Sequence, residues 1–588
     1  MLQSYLSTFA KLLEKHTWIS NEILLEQIAL APENIEGDLA FPCFRIAKDF
    51  GKNPVEVAKE IVGKLAEEDH QLFETFIAVG PYVNTIINNE IFAKSLITEI
   101  QEKKADYGRG ADTGKQILVE GRAMNTHKAV HIGHIRNILM SESISRILAF
   151  AGNDVKKLCY PGDIGAHVAK WLRYYTKFSL PNGETIPQEN FAKRMGELYA
   201  KASQKVEENP EMYKEEIQQL QKDLEDGNPE LQQIWKETRE LCIEDLSQIF
   251  KELWTEKIDK WYYESEVEQP GIKIVKEYLE KGIATVSQGA IAMDLEERDL
   301  GRFLLLKSNG TSLYATKDIA LAHQKAQDFP KYDKSLYIVA TEQNHHFAQL
   351  FKTLELAKFE AEKLQHISYG FLDLKNGKMS SRMGNVILYT DLRDQMIEKA
   401  KATLAERNIS EKQKEKTAYA VAFWAIKFLI LLQDAEKKIL FDEEQALSFE
   451  WETWPYLQYT YARIFSILKK ITPLLKGGGS EATGGSDIKL SGDINFSLLN
   501  TEEDKKLLLQ LSKFGDEIQK AAQTYKPNYV ARFCLDTAQI FNSYYHNHKI
   551  IDESNPELSK ARLILIQSVQ QVIKNGLELL GIETVESM

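Results

Sequence analysis

"QILVEGRAMNTHKAVHIGHIRNILMSESISRILAFAG", residues 116–152, changes its period partway along. Ile117, Leu118 and Val119 form an apolar run of strand length, read as a short buried strand. After a loop, Ile132, Ile135, Leu139 and Leu148 recur at helical spacing, and Gly152 suits the left-handed position that closes a helix. "DVKKLCYPGD" (154–163) reads as the next strand and "GAHVAKWLRYY" (165–175) as the next helix. Strand and helix alternating in this way imply an α/β fold, a parallel sheet with right-handed crossovers.

Outward from that unit the pattern changes on both sides. The chain has 588 residues, too many for one core. Residues 1–105 read as a small α+β domain. In it Asn53-Pro54 starts a helix with Val57, Ile61 and Leu65 on one face, and "FIAVGPYVNTIIN" (76–88) alternates like one strand. Residues 106–400 read as a Rossmann-type domain, with sheet segments resuming at "FLLLKSNG" (303–310), "SLYIVA" (335–340) and "HISYGFLDL" (366–374). A charge-rich helical insertion at about 185–262 is expected to be a solvated hairpin. Residues 401–588 read as an all-α helical bundle, interrupted by the flexible "KGGGSEATGGSD" (476–487).

No run of eighteen apolar residues is present, so no membrane partner is expected. The N-terminus is amphipathic, unlike a signal peptide. Cys43, Cys159, Cys242 and Cys534 are far apart and form no CxxC pair, which argues against structural zinc and for the reducing cytoplasm. A net charge of −13 disfavours indiscriminate nucleic-acid binding without excluding a local basic face. A monomer is expected.

His131 and His134 lie three apart near a helix N-terminus, where free amides and the positive dipole end favour anions. Gly133 between them lets a ligand approach the backbone. A zinc-binding HEXXH helix needs its histidines four apart with a glutamate between, so no metal site is expected. "LKNGKMSSRMGN" (374–385) follows a strand and sets Lys378 and Arg382 beside two hydroxyls. Both features sit at carboxyl ends of parallel strands, as two walls of one cleft would.

"HIGH" at 131–134 and "KMSSR" at 378–382 resemble the two signature motifs of class I aminoacyl-tRNA synthetases. "VEGRAMNTHKAVHIGH" (119–134), "YYESEVEQPG" (262–271), "SLYATKDIALA" (312–322) and "ATEQNHHFAQLF" (340–351) are similar to segments of the arginyl-tRNA synthetase family. So are "EGDLAFPCFRIAK" (36–48) and the closing "LGIETVESM" (580–588). The resemblance implies ATP-dependent ligation of L-arginine to tRNA(Arg), with Mg²⁺ as counter-ion. His131, Gly133, His134, Lys378, Met379 and Ser380 would bind ATP. The family's lysine in the second motif is here Ser381, leaving Arg382 or Lys128 as the second catalytic cation.

For the amino acid, the resemblance implies Glu120, Asn125, His131, Glu264, Tyr314, Asp318 and Gln343. Chemistry points the same way: a guanidinium is planar, permanently charged and bidentate, so its pocket needs carboxylates. Tyr314 and Asp318, four apart on an inferred helix, share a face. Met124 and Ala129 stand where the family commonly has prolines.

For tRNA, residues 1–105 resemble the family's extra N-terminal domain, with Phe41 and Phe44 placed to stack on a base and Leu39 where an aromatic is common. In "WPYLQYTYARIFSILKK" (454–470) and "FNSYYHNHKII" (541–551), aromatics interleave with basic residues, and Tyr461 and Arg463 are the candidate contacts. Two alternatives are another HIGH-type nucleotidyltransferase, usually far shorter, and a non-catalytic tRNA-binding paralogue, which the intact motifs oppose.

Overall fold

The computed structural model describes residues 2–32, 34–68, 70–184, 191–374, 387–405, 410–441, 454–475 and 493–584. Near the N-terminus, β1 (Ala29–Leu30), β2 (Leu39–Pro42), β3 (Phe73–Val79) and β4 (Tyr82–Ile87) form an antiparallel sheet ordered β1-β2-β4-β3. The segment read as one strand, 76–88, belongs to a hairpin in which Val79 pairs with Tyr82. Alternation ran on through the Gly80-Pro81 turn, where Gly80 takes a φ of 56°. The helix Pro54–Leu65 forms as expected. The Asn53 side chain accepts the Val55 N–H at 2.9 Å, and Val57, Ile61 and Leu65 are buried.

The parallel sheet holds β5 (Gln116–Glu120), β6 (Asp154–Cys159), β7 (Lys260–Trp261), β11 (Lys334–Ala340) and β12 (Leu364–Tyr369), ordered β12-β11-β5-β6-β7. All four of its pairings are parallel. In chain order this is 3-2-1-4-5, the doubly wound order, with its switch point between β5 and β11. "FLLLKSNG" lies in a separate antiparallel sheet of β8 (Thr285–Ser287), β9 (Ala290–Leu295) and β10 (Gly301–Leu306). "HISYGFLDL" divides: its first part is β12, while β13 (Leu372–Leu374) pairs with β14 (Ile439–Phe441). That last strand lies inside the stretch read as helical.

The insertion contains three helices rather than a hairpin: Phe191–Glu208, Pro210–Glu225 and Pro229–Glu252. They enclose a core of their own, including Leu198, Leu224 and Trp235 with Trp171 and Leu172. An amphipathic helix with mostly charged residues still buries one stripe when a third helix supplies the opposing face.

The helix Ile132–Phe150 is buried on nearly every side, since it packs against the sheet and against the C-terminal helices. Several of its polar residues are therefore bonded to other elements. Asn137 donates to the Ile338 carbonyl at 2.7 Å, and Ser143 to that of Leu579 at 3.1 Å. Phe514 stacks on Tyr107 and meets Phe150, so the C-terminal helices share one core with the parallel-sheet unit. Among the described residues, no helix is long and apolar enough to cross a membrane.

Candidate active site

The switch point opens into a cavity of about 810 Å³. Its lining includes Glu120 from the end of β5, Asn125 from the following loop, and His131, Gly133 and His134 from the helix start. Glu264, Tyr314, Asp318 and Gln343 complete the expected residues. Nine positions from four distant segments thus meet around one space. Lys378, Met379, Ser380 and Arg382 lie outside the described residues. Lys128 does not line the cavity; its ammonium lies 5.3 Å from the centre of the Tyr199 ring, over the insertion.

His131 is the residue capping the helix, and its ring stacks on that of His134 with centroids 3.6 Å apart. The His131 backbone N–H donates to His134 Nδ1 at 3.2 Å. An amide cannot accept in return, so in the neutral His134 ring the proton sits on Nε2, which becomes the available donor. His131 Nδ1 is buried without a hydrogen-bond partner among the described residues. Burial, helped by the Lys128 ammonium, holds His131 down at about 4. Burial also holds His134 well below its ordinary value, with His131 and Lys128 adding to the effect. Both rings are neutral near pH 7. A Cβ at position 133 would lie 3.0 Å from the His131 ring, so the glycine admits the folded-over imidazole.

The third histidine of the opening stretch does different work. His127 is fully buried, bonded to Thr126 Oγ1 at 2.9 Å and to Thr238 Oγ1 at 2.8 Å. It ties the signature loop to the insertion, and burial pushes it down to about 3.

Three carboxylates line the other end. Glu120 forms a fully buried pair with Lys325, whose ammonium lies 3.7 Å from the centre of the Tyr337 ring. Glu264 pairs with Lys317 at 2.9 Å. Burial pushes Glu264 up to about 7 against the pull of that lysine. An acid–amine pair sums to zero whether or not the proton has passed between its members. Asp318 has no lysine partner among the described residues, and His346 Nε2 donates to its Oδ2 at 2.6 Å. Of the four carboxylates lining the cavity, Asp318 and the exposed Glu342 are without a lysine partner among the described residues. Tyr314, on the same face as Asp318, is 66% exposed and free to lie along a ligand.

Sequence reading missed several positions that hold this geometry. Gly162 passes between two site residues: its Cβ would lie 2.3 Å from Asn125 Oδ1 and 3.1 Å from Glu264 Oε1. Asp163 accepts from Ser265 N–H at 2.9 Å and from Ser265 Oγ at 2.6 Å, fixing the first turn of the Glu264 helix. Arg136, one turn beyond the histidines, donates to the carbonyls of Gly370 (2.6 Å), Phe371 (3.1 Å), Ala435 (2.8 Å) and Lys437 (2.9 Å). "YPGD" and an arginine following HIGH were visible, but nothing local marked their partners.

Two expected RNA contacts are corrected. Phe41 is fully buried in the N-terminal sheet, so its ring cannot stack on a base. Phe44 is 52% exposed and meets Tyr82 edge-on at 5.7 Å. Tyr461 is likewise buried, because this part of the aromatic stripe forms the bundle core. Arg463 instead lies between the Tyr459 and Tyr545 rings, at 4.3 Å and 5.0 Å. Among the described residues no cluster of three His, Cys, Asp or Glu is set to hold a metal.

The fold and paired imidazoles define a class I aminoacyl-tRNA synthetase catalytic unit, and a model of tRNA synthetases class I (R), catalytic domain, matches residues 96–442. Models of the arginyl tRNA synthetase N terminal domain and the DALR anticodon binding domain match residues 3–87 and 457–588. The chain is 33% identical over 579 residues to the arginine–tRNA ligase of Bdellovibrio bacteriovorus, covering 97% of this chain and 95% of that one. It is 32% identical to that of Clostridium perfringens, covering 99% and 100%. The solved Thermus thermophilus arginyl-tRNA synthetase superposes with a TM-score of 0.75 at 27% identity, covering 95% and 96%. The chain belongs to the arginyl-tRNA synthetase family.

Proposed function

We propose that this chain joins L-arginine to tRNA(Arg) through an arginyl-adenylate made from ATP, releasing pyrophosphate and then AMP. The observation that carries this reading is the single cavity running from the paired imidazoles to Asp318. The arginine carboxylate attacks the α-phosphorus in line, a reaction that needs positioning and compensation of phosphoryl charge more than covalent help. His134 donates from Nε2 to a phosphate oxygen, and neutral His131 shares that end. Lys378 takes the pyrophosphate, while Lys128 or Arg382 supplies a further positive charge. Asp318 accepts the guanidinium in a fork, Tyr314 lies along its plane, and Glu264 with Glu120 bounds the slot. Asn125 and Gln343 hold the α-amino end.

Mg²⁺ compensates charge on the ATP phosphates when bound. The described donor set fits an ion carried by those phosphates rather than one caged by carboxylates. Phe44 and Arg463 are the proposed tRNA contacts. We further propose three units, 1–105, 106–400 and 401–588, working as a cytoplasmic monomer. All four cysteines are unpaired and buried, as a reducing compartment allows.

The test is aminoacylation of total tRNA with each of the twenty amino acids offered separately. Charging with arginine alone is the expected result. Charging with another amino acid, or none with arginine across a range of Mg²⁺ concentrations, overturns the proposal.

A further inference from the structure

We propose that His346 is a positioning residue for arginine recognition: it locks the carboxylate of Asp318 in the orientation that receives the guanidinium fork. This rests on the reading of Asp318 as the guanidinium acceptor.

The two residues reach each other from different elements. Asp318 lies in the second turn of the helix Tyr314–Asp328, and His346 in the first turn of the helix Asn344–Leu356, just past the carboxyl end of β11. Both line the cavity, with side chains 19% and 23% exposed. A carboxylate facing a cavity in this way rotates about two torsions unless something holds it. Its sibling carboxylates are held by lysines, Glu120 by Lys325 and Glu264 by Lys317. Asp318 is held by an imidazole.

The choice of holder has a chemical consequence. The imidazole gives this carboxylate one ring N–H, to Oδ2, from a side chain of fixed shape rather than a flexible ammonium stem. Each carboxylate oxygen has two lone pairs, so Oδ2 accepts from His346 and from a guanidinium N–H together, while Oδ1 takes the second tine. The ring itself is fixed from two sides. It meets Phe303 edge-on at 5.4 Å and 70°, and Phe347 at 5.6 Å and 89°. A packed ring donor is therefore built against Asp318, beside two carboxylates, Glu120 and Glu264, that lysines hold.

The test compares His346→Leu with His346→Gln, whose amide places a donor at the reach of Nε2. Steady-state aminoacylation with the full-length enzyme gives KM for arginine, KM for ATP and kcat, and circular dichroism checks folding. For His346→Leu, the arginine KM should rise roughly 10- to 100-fold, the loss of one hydrogen bond to a charged group. The ATP KM and kcat should change less than about threefold. His346→Gln should restore the arginine KM to within several-fold of wild type, which a purely structural ring would not allow. Added to Asp318→Asn, His346→Leu should raise the arginine KM little further, because the imidazole acts through the aspartate.

Equal arginine KM increases in the two His346 variants overturn the inference, as does a matching rise in the ATP KM or additive effects with Asp318→Asn. A normal arginine KM in His346→Leu beside a large one in Asp318→Asn overturns the inference alone. A normal arginine KM in Asp318→Asn overturns the reading beneath it as well.

Discussion

Replacing Asp318 by asparagine removes one negative charge while nearly preserving shape, and the arrangement around it sets the size of the effect. Glu120 and Glu264 are already matched by Lys325 and Lys317, so neither can be recruited without exposing a buried amine. A guanidinium and a carboxylate about 4 Å apart, at the effective dielectric of a partly buried site, attract by about 4 kcal/mol. Breaking a buried pair by deleting one partner costs about 3–5 kcal/mol. At about 1.4 kcal/mol per tenfold, the arginine KM should rise roughly 100- to 4,000-fold. The imidazoles proposed to meet the phosphates lie on another helix, so the ATP KM should move less than about threefold. Steady-state aminoacylation at saturating tRNA, varying each substrate in turn, reads both constants. Equal changes in the two constants, or an arginine effect below about tenfold, would refute the charge-matching argument.

Gly162→Ala should raise the arginine KM by about 10- to 100-fold with a smaller effect on ATP, since the new methyl meets Asn125 Oδ1 and overpacking costs about 1–3 kcal/mol. The same kinetic assay checks it. His131 titrates at about 4 in the fold, against an ordinary value of 6.5, so the unfolded chain binds more protons between those values. Stability is therefore complete above about pH 6.5 and falls by about 3 kcal/mol as pH drops to 4, and His131→Asn should remove that part of the decline in urea melts at several pH values. Phe44→Ala should weaken tRNA binding several-fold with an unchanged melting temperature. Phe41→Ala should instead destabilise the N-terminal sheet by about 3–5 kcal/mol, measured by denaturant unfolding.

What could be read from the chain alone was local. Ile117 to Val119, the helical spacing from Ile132, and the Asn53-Pro54 start are set by neighbours within a few positions, and each formed as expected. The HIGH word, and the four-residue spacing of Tyr314 and Asp318, put their side chains into one cavity in the same short-range way, while 378–382 lies outside the described residues. Even here a turn hidden inside an alternating run, at Gly80-Pro81, escaped notice because alternation alone does not say where a strand folds back.

Tertiary structure decided which polar groups are spent on one another. Lys317 and Lys325 look like surface charges of a helix, yet each lies against a carboxylate from a distant segment, while Asp318 meets His346 from another helix instead. Phe41 and Phe44, three residues apart, went to opposite fates because one is in a buried strand and the other starts a half-exposed helix. Burial and pairing depend on what arrives from hundreds of residues away, and sequence spacing within one element carries no record of it.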